Sequence, residues 1–163
     1  MIIKLKKNNT LIVKEFVFKC SIGKNGTKLH KIEGDKSTPR GIYKFGELYW
    51  RNDRVKKPIT KLKCVRISKK MAWCNDIKSK NYNKRVLLNL KIKSEKLFRA
   101  DSKYDYFIVI KYNTEKIVIN KGSAIFLHLT KNYNSTAGCI AVTKKDFLII
   151  LKFLDKNSKI KIY

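Results

Sequence analysis

Residues Ser123–Val142 read SAIFLHLTKNYNSTAGCIAV, and the rest of the chain is best read outward from them. The apolar run Ala124-Ile125-Phe126-Leu127 ends in His128, one of only two histidines. A polar turn follows, and Thr136-Ala137-Gly138-Cys139 then opens a second apolar run. Two such runs predict buried strands that present an imidazole and a thiol at adjacent ends. Thiol chemistry needs that pairing, because the thiolate is the nucleophile and a nearby imidazole generates it. Gly138 frees the backbone to turn sharply, so the amides of Ala137, Gly138 and Cys139 can converge as an oxyanion hole, with each donor worth about 3–4 kcal/mol. Taken singly, each residue has an ordinary role: a buried histidine at a strand end and a small core cysteine.

Outward from this stretch, strand signals dominate. Ile2–Leu5, Leu11–Cys20, Val86–Ile92, Tyr106–Tyr112 and Ile117–Ile119 are rich in β-branched and aromatic residues. Several are continuous apolar runs, the mark of strands covered on both faces. One helix is legible after Cys139: Thr143 caps it, Asp146 falls in its first turn, and Phe147, Ile150, Leu151 and Leu154 recur at helical spacing. Lys159–Tyr163 alternates and predicts a final strand. The stretch from Tyr49 to Tyr82 is polar and irregular and reads as long loops walling a cleft. The expectation is one domain over residues 1–163, mainly β with an α+β character, a sandwich or mixed sheet with a few short helices.

The chain has 163 residues, 44% of them hydrophobic, which suffices for a real core and argues against disorder. Its 39 lysines and arginines against 12 acidic residues give a net charge of +27. Such a charge attracts polyanions. The lysines are scattered, however, and nucleic-acid binders cluster theirs, so a solvated basic surface is the reading and no nucleic-acid partner is expected. A non-catalytic basic module binding an anionic polymer is the alternative from another class. The four cysteines, Cys20, Cys64, Cys74 and Cys139, form no C-x-x-C pair, so neither a zinc site nor a disulfide framework is expected. Lys4, Lys6 and Lys7 interrupt any secretory apolar core, and no run of about 20 apolar residues could span a membrane. These features imply a cytoplasmic protein, or a periplasmic one if the start is misassigned.

The Ser123–Val142 stretch also resembles the L,D-transpeptidase catalytic domain (YkuD-like) family, whose motif is a histidine followed by a [Ser/Thr]-x-Gly-Cys turn. His128 and Thr136-Ala137-Gly138-Cys139 match it. Upstream, KIEGDKSTPRGIYKF (Lys31–Phe45) is similar to the family's E-G-D-x-x-T-P-x-G segment. YWRNDR (Tyr49–Arg54), Trp73-Cys74-Asn75-Asp76 and Tyr82-Asn83 follow in consistent order. The resemblance implies a β-rich fold and a cysteine enzyme that needs no cofactor or metal. It also implies action on the peptidoglycan stem tetrapeptide or a muropeptide, cutting between the L-centre of a diamino acid and the terminal D-alanine. Cys139 would attack as a thiolate paired with imidazolium His128. Water resolves the thioester in an L,D-carboxypeptidase, the preferred outcome for a cytoplasmic enzyme; an amine resolves it in an L,D-transpeptidase. Two departures stand out: Ala137 and Ala141 occupy positions where many members carry histidine and arginine. Substrate contacts are therefore sought at Thr136, Arg54, Arg40, Trp73 and Tyr82.

Overall fold

The computed structural model describes residues 1–89 and 91–163. In chain order the elements are β1 (Ile2–Lys6), β2 (Thr10–Val13), β3 (Phe16–Lys19), β4 (Thr27–Lys28), β5 (Thr38–Pro39), β6 (Gly41–Trp50) and β7 (Cys64–Arg66). They continue through β8 (Met71–Cys74), β9 (Arg85–Leu87), β10 (Ser94–Lys96), β11 (Tyr106–Ile110), β12 (Phe126–Leu129), β13 (Ile140–Val142), α1 (Lys144–Phe153) and β14 (Lys159–Ile162). The main sheet is mixed, in the order β13-β12-β11-β6-β14-β1-β2-β3, with β7 paired parallel to β6. Its two ends meet. The Ser21 N–H donates to the Ala141 carbonyl at 2.7 Å and the Ala141 N–H returns to Ser21 at 2.9 Å, so the sheet nearly closes on itself.

The apolar runs are covered on both faces, as their lack of alternation implies. On one side Ile108, Ile110, Leu127, Leu129, Ile140 and Val142 pack with Phe147, Ile150 and Leu151 of α1. On the other, Phe107, Val109, Phe126 and Cys139 pack with Tyr49, Trp73, Leu97 and Tyr104. The small sheet β10-β8-β9 covers this second face. Thr143 caps α1 by accepting from the Asp146 N–H, and Leu154 closes its other end.

Several elements differ from the sequence reading. Leu11–Cys20 is a hairpin rather than one strand, because Lys14 turns the chain at φ +53° between β2 and β3. Ile117–Ile119 forms no strand. The Asn113 side chain binds both the N–H and the carbonyl of Val118 and holds the segment as a turn, leaving Val118 and Ile119 half exposed. Of the Val86–Ile92 strand, β9 takes up Arg85–Leu87, and Leu90 lies outside the described residues. The polar middle carries the short strands β7 and β8 instead of loops alone. Among the described residues α1 is the one helix where a few are expected, since the polar segments are spent on turns held by Asn, Asp and Ser side chains. No helix of the described residues is long and apolar enough to cross a membrane.

Candidate active site

Register places the two candidate residues. β12 and β13 run parallel with His128 opposite Ala141, and Cys139 lies two residues before Ala141. Cys139 is therefore level with Phe126, whose N–H donates to its Sγ at 3.3 Å. Side chains repeat every second residue in a strand, so His128 and Cys139 share one face, offset by two residues or about 6–7 Å. Both line a cleft of about 820 Å³, walled by residues 31–36, 93–104 and 129–137.

The imidazole is fixed in one tautomer. His128 Nδ1 lies 2.9 Å from the Leu129 carbonyl, which can only accept, so Nδ1 carries the proton and Nε2 keeps its lone pair. Tyr104 stands edge-on to the ring, with centroids 5.4 Å apart, and its hydroxyl donates to Glu95. Burial pulls the His128 pKa down to about 4; the Leu129 carbonyl opposes this, while Lys103 and Arg99 add to it. Burial pushes the Cys139 thiol up to about 12, aided by the Glu95 charge and opposed by the Phe126 amide and Lys31. Burial thus favours a neutral thiol and a neutral imidazole in the free protein, whereas the resemblance implies an ion pair at the moment of attack. The thiol is also turned away, donating to the Ala124 carbonyl at 3.2 Å. Ala124 lies before Phe126 in the chain, on the side opposite His128. A thiol in this state should alkylate slowly. We expect the iodoacetamide rate at Cys139, read by mass spectrometry, to climb about tenfold per unit from pH 7 to 10, since only the thiolate reacts. A plateau below pH 8 would overturn the neutral assignment.

The upstream segment resembling E-G-D-x-x-T-P-x-G clamps the cysteine turn. Burial alone would raise the Asp35 pKa. The Lys31 ammonium at 2.6 Å, with the amides of Ile32 and Ser37, outweighs it and holds the carboxyl below its ordinary value. Lys31 is buried against Gly122 and the Gly138 turn. Thr38 Oγ1 donates to the Gly138 carbonyl at 2.8 Å and accepts the Gly23 N–H at 2.9 Å. Thr38→Val would leave both groups buried without partners. It should cost about 2–3 kcal/mol in chemical denaturation, and an unchanged midpoint would show the clamp to be dispensable.

The other sequence candidates fall in different places. Thr136 lines the cleft and also ties the turn together: its Oγ1 donates to the Cys139 carbonyl at 2.6 Å and accepts the Gly138 N–H at 3.1 Å. That bond takes the Gly138 amide out of the oxyanion hole. The amides of Ala137 and Cys139 remain, and neither donates to another group among the described residues. Arg54 does reach the cleft, with its guanidinium held by the carbonyls of Ala100 and Asp101 and the Asp105 carboxylate. Arg40 is elsewhere, bonded to Thr27. Trp73 is in β8, packed edge-on to Phe126 and bonded through Nε1 to Asn83, so it supports the second core instead of lining the cleft. Tyr82 is buried beneath the cleft wall, where its hydroxyl donates to Glu33 and accepts from the Gly122 N–H. Sequence reasoning missed Glu95, Tyr104 and Lys31. Lys31 was within reach, because the quoted segment pairs it with Asp35 at an i, i+4 spacing.

The family model of the L,D-transpeptidase catalytic domain (YkuD) matches residues 2–162. The chain belongs to this family. It is thus an L,D-transpeptidase-family enzyme, and the matched range holds both His128 and the Thr136–Cys139 turn. Among solved structures, an L,D-transpeptidase from Mycobacterium smegmatis is similar at 12% identity and a TM-score of 0.45, covering 99% of this chain. This chain spans 58% of that one, less than two thirds of its length. No curated protein matches the sequence.

Proposed function

We propose that this L,D-transpeptidase-family enzyme cleaves the bond between the L-centre of a diamino acid and D-alanine in peptidoglycan stem peptides, as an L,D-carboxypeptidase acting on soluble muropeptides in the cytoplasm. The observation that carries the reading is the tautomer of His128. Its Nε2 lone pair points from a fixed ring on the strand face shared with Cys139, inside a cleft large enough for a short peptide.

The reaction follows from those atoms. With substrate bound, Sγ turns from the Ala124 carbonyl toward Nε2 and gives up its proton as it attacks the carbonyl carbon. The oxyanion is met by the amides of Cys139 and Ala137. His128 then hands the proton to the departing D-alanine nitrogen, the C–N bond breaks, and a thioester remains. Water, deprotonated by the same Nε2, attacks the thioester and returns the thiol. The acyl acceptor separates this outcome from transpeptidation, and the match to a transpeptidase family keeps an amine acceptor as the second reading.

Mass spectrometry of a disaccharide-tetrapeptide incubated with the protein tests both. Loss of one D-alanine supports the carboxypeptidase, and a cross-linked dimer supports the transpeptidase. An unchanged substrate, with Cys139 intact, would sink the stem-peptide reading. Fractionation of cells expressing the full-length protein tests the location.

A further inference from the structure

One end of the cleft runs against the charge of the whole molecule. Glu33 and Glu95 line the same cavity as Cys139, in a chain with 39 basic residues. Neither carboxylate lies within 4 Å of a lysine or arginine nitrogen among the described residues. Each is held by a tyrosine hydroxyl, Glu33 by Tyr82 and Glu95 by Tyr104. The nearby cations are committed elsewhere: Lys31 to Asp35, Arg99 to Asp101, and Arg54 to Asp105 and two carbonyls. The uncommitted lysines of the cavity, Lys36, Lys93, Lys103 and Lys131, are exposed at its rim.

Two further polar atoms at this end lack a well-formed partner among the described residues. Ser123, only 8% exposed, lines the cavity beside the Tyr82 hydroxyl, and its buried Oγ has no well-formed hydrogen bond among the described residues. It follows Gly122, whose N–H donates to the same Tyr82 hydroxyl that binds Glu33. Asn75 also lines the cavity, and its Oδ1 is likewise buried and unbonded. Asn75 borders β8, which pairs with the Glu95 strand β10. Native structures rarely leave buried acceptors unmet. Two carboxylates, an amide oxygen and a hydroxyl together offer acceptors almost exclusively. The group that satisfies them is a small cation with several N–H donors and no acceptor, which describes a primary ammonium. A substrate carboxylate would be repelled here and drawn to the lysine rim.

We propose that Glu33, Glu95, Asn75 and Ser123 form a subsite for a primary ammonium of the stem peptide, next to the nucleophile. The inference rests on the stem-peptide reading for its ligand. The ammonium can come from the diamino-acid side chain of the cleaved peptide or from the matching amine of an acceptor peptide.

Calorimetry with the Cys139→Ala protein, titrated with the tetrapeptide carrying a free or an acetylated side-chain amine, tests the first source without turnover. The free amine should bind at least tenfold tighter, and adding Glu33→Gln and Glu95→Gln should shrink the difference below threefold. For the second source, the acetylated tetrapeptide serves as donor and a free-amine tripeptide as acceptor, comparing protein intact at Glu95 with Glu95→Gln. Equal affinities overturn the proposal unless the mixed dimer forms and is lost in Glu95→Gln, which assigns the subsite to the acceptor. If the native enzyme turns over neither tetrapeptide while the affinity difference persists, the reaction is misread and the subsite stands. Failure of both tetrapeptides to bind removes both.

Discussion

Cys139→Ser is expected to abolish turnover while leaving the fold in place. The geometry at Sγ makes the case severe. The atom is buried, accepts the Phe126 N–H and donates to the Ala124 carbonyl, and a serine hydroxyl can make both bonds. Packing and register should therefore survive, with the melting temperature moving by no more than a few degrees. Reactivity should not survive, because an alcohol holds its proton far more tightly than a thiol and His128 is a weak base, its pKa pulled down to about 4 by burial. Removing the nucleophile of an acyl-transfer enzyme commonly costs several orders of magnitude, and a drop of at least about 10³ in kcat is expected here. His128→Gln should fall comparably, since proton transfer from sulfur and to the leaving amine passes through the same Nε2. Single-turnover assays by mass spectrometry check both variants. Activity within tenfold of native in either would move the chemistry away from this pair.

The neutral resting state makes substrate part of the catalytic apparatus. In the free protein, burial favours the proton on sulfur and disfavours it on the imidazole. Proton transfer becomes favourable only when a carbonyl is in place, so that charge leaving sulfur ends on an oxyanion held by backbone amides. An enzyme of this kind is protected from oxidation and alkylation between turnovers, since both need thiolate.

The sequence made the candidate pair His128 and Cys139 stand out for a physical reason. Strands buried on both faces must be continuous apolar runs, and His128 and Cys139 are conspicuous because each interrupts or borders one. α1 was legible from its Thr143 cap and the spacing of Phe147, Ile150 and Leu151, all local signals. What failed depended on tertiary placement. Lys14 turns the β2–β3 hairpin without the glycine or asparagine that would mark it. Trp73 and Tyr82 are aromatic residues with polar handles, and composition does not say whether the handle meets substrate or, as here, Asn83 and Glu33. Glu95 lies in a short polar strand with no periodic signature. Only the pairing of β10 with β8 brings it beside Cys139.

Gly138→Ala should damage both the fold and turnover. Gly138 adopts φ +141°, a conformation that strains any residue with a Cβ. A Cβ there would also lie 2.9 Å from the Ser37 carbonyl oxygen and 3.3 Å from Ile125 Cδ1. The first neighbour is backbone, in the segment Asp35 and Thr38 hold in place, so it cannot step aside like a flexible side chain. Strain of this kind costs about 1–3 kcal/mol, and the clash adds to it, so a loss of about 3 kcal/mol or more is expected in denaturation. The functional loss should be larger than stability alone predicts. Moving this peptide withdraws the Gly138 carbonyl from Thr38 and shifts the adjacent Cys139 amide, and a displacement of about 1 Å at a reacting centre can cost 10²-fold. Gly26→Ala isolates the backbone component, because Gly26 also has positive φ, +73°, but open space where its Cβ would go. That variant should lose about 1 kcal/mol and keep its turnover. If Gly138→Ala behaved like Gly26→Ala in both assays, the tight fit of the cysteine turn against Ser37 would not matter to catalysis, and the clamp formed by Lys31–Thr38 would need another purpose.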